Sequence, residues 1–204
     1  MIITLKDGSS KEYSQPMSAY DIAADISEGL ARMACAAEID GKTCDLRTVI
    51  DKDANLNIYT FNDEEGKKTF WHTASHILAQ AVKRLYPDAK CAIGPAIDNG
   101  FYYDFDMPSL SRDELDKIEA EMKKIVKEAA DITSFTLPRE EAIKLMEEKA
   151  EPYKVELIKD LPEDSIISFY TQDDFTDLCA GPHLMSTKTV KFFKLTSSSG
   201  AYWR

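Results

Sequence analysis

The chain has 204 residues, of which 44% are hydrophobic and 30% charged. This composition can supply a buried core and lacks the long like-charge blocks of disordered chains, so we expect a globular protein, preferably of two domains. The formal charge of −11 excludes a generally basic surface for a polyanion, because phosphate contacts depend on Lys and Arg. Any contact with RNA would therefore be local.

No segment has the features of a signal peptide or a membrane span. The N-terminal apolar residues reach a polar turn at Asp7-Gly8, too early for a signal sequence, and no later apolar stretch is long enough to cross a bilayer. The four cysteines form no Cys-x-x-Cys pair, which disfavours a disulfide framework or a thiolate zinc ribbon. These features predict a cytoplasmic protein with reduced thiols and no membrane partner.

The first part of the chain, residues 1–62, has the pattern of a small mixed sheet on one helix. Residues 2–5 and 11–14 flank Asp7-Gly8, which is typical of a β-hairpin turn. Ser18 can cap a helix, and later apolar runs predict strands at 34–39 and 56–61. The order ββαββ indicates a compact domain.

The second predicted domain covers residues 63–204. Its charged, glycine-containing start at 63–68 predicts a domain joint. Helical periodicity then predicts helices near 69–86 and 111–129, the latter with a Ser111/Glu114 capping box, and a third helix after Pro138. Strands are predicted in four places, at 93–105, 155–158, 166–170 and 190–195. The fold class is therefore α+β.

All three histidines of the chain lie in two short motifs. His72 and His76 are separated by one helical turn and share a face of a predicted helix. Cys179 and His183 have the same spacing in a segment that Gly181 and Pro182 make a loop. A single His-x3-His is often structural, but the concentration of every histidine with one cysteine in two motifs favours a functional site. Cys35, Cys44 and Cys91 are read as buried apolar side chains.

Two chemical interpretations fit this set of side chains. Three imidazoles and a thiolate could bind tetrahedral zinc, which would polarise a carbonyl or acidify a bound water. Without metal, the same groups could position and deprotonate water while donating hydrogen bonds to an ester. The spacing of the residues is compatible with both interpretations.

These motifs make the chain resemble the N-terminal half of bacterial threonyl-tRNA synthetases. Residues 1–62 look like the TGS domain, a β-grasp module, and residues 63–204 look like the second additional domain, an α+β editing domain with an antiparallel sheet and long helices. Alanyl-type editing proteins share the histidine and cysteine pattern, but the TGS-like domain and the Gly-Pro before His183 favour the threonyl type. Further similar stretches lie at 93–95, 98–103, 153–155 and 200–204.

The resemblance implies hydrolysis of the ester that joins serine to threonine tRNA. It implies catalytic roles for six residues: His72, His76, Cys179, His183, Lys154 and Asp177. It also implies substrate-binding positions at Gly94, Tyr103 and Tyr170. No cofactor is expected, with zinc at the histidines and Cys179 as the alternative. The implied partners are the acceptor end of tRNA(Thr) carrying serine and the catalytic and anticodon-binding domains of a longer synthetase.

Two other functions remain open. The first is a non-catalytic module that docks tRNA. A protein that only binds RNA should show a basic stripe interleaved with aromatic residues, whereas the basic residues here are dispersed among carboxylates. A zinc-dependent hydrolase could act on small aminoacyl esters without tRNA. Residues 1–62 carry no chemical motif, and we assign them no activity.

Overall fold

The computed structural model describes residues 1–203. Arg204, the last residue of the final similar stretch, lies outside the described residues. The chain forms two compact units, one of Met1–Trp71 with Gly181–Met185, the other of His72–Ala180 with the residues from Ser186 onward. The predicted limit between residues 62 and 63 stays a prediction, because compact units and sequence domains need not share a boundary.

The first unit contains a five-stranded sheet with strand order β2-β1-β7-β4-β5. Strand β1 pairs with β7 in parallel, and the other pairs are antiparallel. The predicted hairpin is confirmed, with Gly8 at φ 85° in the turn, and Ser18 caps α1 by accepting the Asp21 amide. The elements are β1 (Ile2–Leu5), β2 (Ser10–Glu12), β3 (Met17–Ser18), α1 (Ala19–Ile26), α2 (Glu28–Met33), β4 (Ala34–Ile39), β5 (Lys42–Cys44), β6 (Val49–Ile50) and β7 (Ala54–Thr60).

Helix α3 (Glu64–Leu85) begins within the stretch predicted to be a joint. Gly66 of this stretch is a close-packing position inside the helix. A Cβ atom there would lie 1.9 Å from the carbonyl oxygen of Thr60. The glycine is therefore required by the approach of strand β7 to the first turns of the helix.

The second unit is built around the three-stranded antiparallel sheet β12-β13-β14. Together with its helices, this sheet confirms the α+β prediction. The elements are β8 (Lys90–Cys91), β9 (Ala96–Ile97), β10 (Gly100–Phe101), β11 (Phe105–Asp106), α4 (Arg112–Glu128), β12 (Ile132–Leu137), α5 (Arg139–Glu148), α6 (Pro152–Asp160), β13 (Ile167–Gln172), β14 (Phe175–Leu178) and a 3₁₀ helix at Thr187–Thr189.

The two faces of this sheet contact different helices. Phe169 packs with Met146 of α5 and Ile158 of α6. On the opposite face, Gln172 donates a hydrogen bond to Gln80 of α3 at 2.9 Å. Tyr170 is two residues from Gln172 in β13, so both side chains are on the same face of the sheet. Asp177 is opposite Tyr170 in the ladder and therefore also lies on the α3 side.

Two strand predictions are wrong. Residues 155–158 belong to helix α6, which Pro152 begins at a position where its missing N–H is not needed. Residues 190–195 form no strand, because the Leu195 amide donates to the Glu119 carboxylate at 3.0 Å rather than to a neighbouring strand. Apolar content identified both segments as ordered, but it could not specify their hydrogen-bond partners.

None of the helices within residues 1–203 combines the length and apolar character that a bilayer span requires.

Replacing Ser111 by Ala should lower the free energy of unfolding by about 1 kcal/mol, because the Ser111 hydroxyl and the Glu114 carboxylate cap α4 reciprocally. Urea denaturation of the variant measures the loss. Ser109→Ala, an exposed serine just before the helix, is the control. Equal stability of the two variants would contradict the assigned cap.

Candidate active site

Helix α3 presents a row of polar side chains to the sheet at four-residue intervals. His72, His76 and Gln80 follow one another on a single helical face. The neighbouring strands supply polar groups opposite this row, so the interface between helix and sheet is a polar seam. The partners, in the same order, are Cys179, Asp177 and Gln172.

The outer end of the seam is the pair His72 and Cys179. Cys179 Sγ lies 3.4 Å from His72 Nε2, within hydrogen-bond distance for sulfur. The Cys179 amide donates to the Ser168 carbonyl at 3.0 Å, and the Ser168 hydroxyl donates to the Cys179 carbonyl at 2.6 Å. Both His72 and Cys179 are partly exposed. A thiol and an imidazole are thus held together at a partly exposed position.

Behind this pair lies the buried carboxylate of Asp177, which is only 3% exposed. Lys154 Nζ is 2.9 Å from Asp177 Oδ1, and the Tyr103 hydroxyl donates to Oδ2 at 2.6 Å. His76 Nε2 lies 3.7 Å from the same Oδ2 atom. A buried carboxylate is stable only with such partners, and here three elements provide them.

The surroundings keep Asp177 ionised and Tyr103 protonated. Burial raises the pKa of Asp177, but the Lys154 ammonium, His76 and the Tyr103 hydrogen bond outweigh it, and the pKa lies below its ordinary value. Burial, followed by the Asp177 charge, holds the pKa of Tyr103 well above its ordinary value. The tyrosine hydroxyl therefore remains a donor to the carboxylate.

His76 is a neutral imidazole at neutral pH. Burial is the largest cause, and it lowers the pKa of His76 from 6.5 to about 3 although Asp177 acts in the opposite direction. His72 and the Lys154 charge lower the pKa further. A neutral imidazole can accept a hydrogen bond or ligate a metal, and it adds no positive charge beside Lys154.

Gly94 and Tyr103 pack directly against each other. A Cβ atom at Gly94 would lie 2.1 Å from Tyr103 Cδ2, so only glycine allows the loop to pass over this ring. The Ser75 hydroxyl is 2.7 Å from both the Gly94 and the His72 carbonyl oxygens, which ties the loop to α3. Tyr170 is buried in β13 opposite Asp177. Substrate binding by Gly94, Tyr103 and Tyr170 stays a prediction.

His183 belongs to the Gly181–Met185 segment of the first unit. Its amide donates to Asp45 Oδ2 at 3.2 Å, and its carbonyl accepts from Arg47 at 3.1 Å. The residue is fully buried. Its backbone is thus firmly held, and its predicted catalytic role stays a prediction.

The ligand atoms of His72, His76 and Cys179 lie within 4.8 Å of one another. Tetrahedral zinc, with bonds of about 2.0–2.3 Å, separates its ligand atoms by roughly 3.5 Å. The 3.4 Å between Cys179 Sγ and His72 Nε2 fits such an edge. The donor set can therefore hold zinc, and the metal-dependent and metal-free interpretations both remain open.

Sequence reasoning missed Ser75, Ser168 and Gln80, which orient the candidate residues. Ser75 lies inside the His72–His76 motif, and Gln80 continues its four-residue spacing, so helical periodicity could have identified both. Ser168 carries no comparable signal, because its bond to Cys179 depends on the pairing of β13 with the chain beyond β14.

Two family models match the chain. Residues 1–60 match the TGS domain, and residues 167–201 match the second additional domain of threonyl and alanyl tRNA synthetases. The chain thus carries a TGS domain followed by a domain of the editing type.

The chain is also similar to the N-terminal region of threonine–tRNA ligases. It is 62% identical to the ligase of Acetivibrio thermocellus, 60% to that of Clostridioides difficile and 61% to that of Clostridium acetobutylicum, each over 99% of its own length. It spans about a third of these relatives, 32% of each. The resemblance inferred from the motifs is confirmed.

The low pKa of His76 predicts a loss of stability in acid. Between pH 6.5 and about 3, an unfolded His76 binds a proton that the folded one does not, so the unfolding free energy falls as the pH falls, by up to ~1.4 kcal/mol per pH unit. In His76→Gln this contribution is absent. Urea denaturation from pH 7 to pH 4 in metal-free buffer should therefore give a steeper slope for the wild type. Parallel curves would show that burial does not suppress protonation of His76.

Proposed function

We propose that this chain hydrolyses the ester of mischarged seryl-tRNA(Thr) and releases serine, which is post-transfer editing. The observation that carries the proposal is the partly exposed His72–Cys179 pair beside the buried Asp177 cluster. These residues lie in a chain with a domain of the editing type and with similarity to threonine–tRNA ligases. The geometry supplies an imidazole and a thiol at a surface that an ester can reach.

A separate editing step is needed for a physical reason. Serine lacks one methyl group of threonine, and a pocket shaped for the larger amino acid gains only about 1–3 kcal/mol of discrimination from that group. A second site can use size in the opposite sense, because it can accept serine and exclude the extra methyl of threonine. The hydroxyl and ammonium groups common to both amino acids would be held by polar side chains.

The reaction adds water to the ester carbonyl carbon and breaks the bond from that carbon to the ribose oxygen. His72, with a water or a substrate hydroxyl, forms the proton-transfer unit that removes a proton from the attacking water and returns one to the ribose oxygen. Cys179 lines the pocket for the seryl group, and the catalytic role of His183 stays a prediction. The products are serine and tRNA with a free ribose hydroxyl.

Lys154 and Asp177 act as a charged pair behind the reacting groups. Their contact of 2.9 Å leaves Asp177 ionised beside neutral His76. In this proposal Lys154 orients the ester or a nearby phosphate, and Asp177 holds the imidazole or the substrate ammonium. The close approach of His76 to Asp177 favours the imidazole.

His72→Ala should lower the single-turnover rate of seryl-tRNA(Thr) hydrolysis by roughly 100-fold or more, because the proton-transfer group is lost. Cys179→Ala should also slow it, since the pocket opens. The measurement is the release of labelled serine, compared with the release of threonine from threonyl-tRNA(Thr). Cys44→Ala, in the first unit, is the control for cysteine removal. Undiminished hydrolysis by both site variants would overturn the proposal.

A zinc-dependent aminoacyl-ester hydrolase is the second candidate, because three possible ligands converge. Bound zinc would supply Lewis acidity and a more acidic water at His72, His76 and Cys179. Our proposal is the metal-free reaction.

Treatment with a chelator should therefore leave the rate of serine release unchanged, because side chains alone move the proton. Metal analysis of the freshly purified protein accompanies the assay. One tightly bound zinc per chain that is required for turnover would establish the second candidate instead. Equal rates with free seryl esters and with seryl-tRNA would show that hydrolysis does not require tRNA, as expected for the second candidate.

The similarity to threonine–tRNA ligases supports the proposed partners. The ligases are about three times as long as this chain, so the catalytic and anticodon-binding domains would lie in the rest of a longer protein. The partner RNA is the acceptor end of tRNA(Thr). If the chain bound this RNA without releasing serine, the non-catalytic docking module would be the correct interpretation.

A further inference from the structure

Glu151 is a buried carboxylate that the proposed reaction does not use. It immediately precedes Pro152, the first residue of α6, and is 7% exposed. One of its oxygens accepts the Cys91 amide at 2.7 Å, and the other lies 2.8 Å from Lys83 Nζ. Both oxygens are therefore bound to groups outside α6.

Lys83 is itself held by two further contacts. Its ammonium donates to the Pro87 carbonyl at 3.0 Å and to the Ala89 carbonyl at 2.8 Å. These three acceptors can take all three protons of the ammonium group. Glu151 is thus attached to a fixed cation on α3, and the start of α6 cannot shift without breaking a charged hydrogen bond.

Lys154 lies one helical turn beyond Glu151. The Lys154 amide donates to the Glu151 carbonyl at 3.1 Å, and its ammonium reaches Asp177. On α3, His76 and Lys83 are two turns apart on one face. His76 approaches Asp177, and Lys83 binds Glu151. Helix α3 is thus connected to the first turn of α6 at two points, directly through Glu151 and through Asp177 to Lys154.

We propose that Glu151 is a positioning residue that sets the place of Lys154 beside Asp177. Lysine has a long side chain whose rotamers are costly to fix, so the location of its backbone decides where the ammonium rests. The Glu151–Lys83 contact fixes that backbone at the start of α6. The effect of Glu151 on catalysis rests on the proposed function, whereas its effect on Lys154 does not.

The test is a double-mutant cycle with Glu151→Gln and Lys154→Met. Glutamine keeps an acceptor for the Cys91 amide and removes the charge that binds Lys83. Glu151→Gln should slow single-turnover hydrolysis of seryl-tRNA(Thr) about tenfold through misplacement of Lys154. The tRNA concentration at half-maximal rate should stay the same, because Glu151 is buried and both of its carboxylate oxygens are already bound within the protein.

In the Lys154→Met background, Glu151→Gln should change the rate by less than about twofold, since a residue that acts through Lys154 has nothing left to position. Equal losses in both backgrounds, or no loss in the wild type, would overturn the proposal. Glu163→Ala, an exposed carboxylate after α6, is the matched control and should leave the rate unchanged.

A second readout separates this proposal from the proposed function. If the wild type releases no serine, the proposed editing function is wrong. The wild type, the two single variants and the double variant are then compared by urea denaturation. The shift in midpoint caused by Glu151→Gln should then shrink by about half or more when Lys154 is Met, because the two residues are coupled. Equal shifts in both backgrounds would show that Glu151 is only an anchor of α6.

Discussion

The candidate site depends on one ionised carboxylate that is buried in the second unit, that of Asp177. A charge removed from water needs close partners, and Asp177 receives them from Lys154 of α6, from Tyr103 and from His76 of α3. Loss of Lys154 would leave the Asp177 charge uncompensated in the interior. The separate elements are thus required to meet at a single point on the sheet.

This requirement explains the arrangement of the candidate site. The buried cluster forms a rigid base, and the partly exposed His72–Cys179 pair lies one helical turn away along the same polar seam. In the proposed ester hydrolysis such a buried base would hold His72 in place, because misplacement of a reacting group by about 1 Å can cost 100-fold in rate. Cys91 and Gly94 contribute through backbone contacts rather than through reactive side chains.

Local signals in the sequence were reliable where a short segment supplies its own hydrogen bonds. The Asp7-Gly8 hairpin and the Ser111/Glu114 capping box formed as expected. The strands predicted at 155–158 and 190–195 did not form, because Pro152 begins a helix and Glu119 binds the Leu195 amide. The first outcome has a local signal, the proline at the start of the helix, whereas the second depends on Glu119, which is distant in the chain and which periodicity cannot detect.

Residue types and local spacing were enough to predict the α+β class, to find the two histidine and cysteine motifs and to infer the similarity to threonine–tRNA ligases. Three contacts could not be read from the sequence and are known only from the folded chain: Cys179 with His72, Asp177 with Lys154 and Tyr103, and Glu151 with the Cys91 amide. The physical reason is that a buried charge selects its partners by proximity in the folded chain, and proximity between distant residues is set by packing.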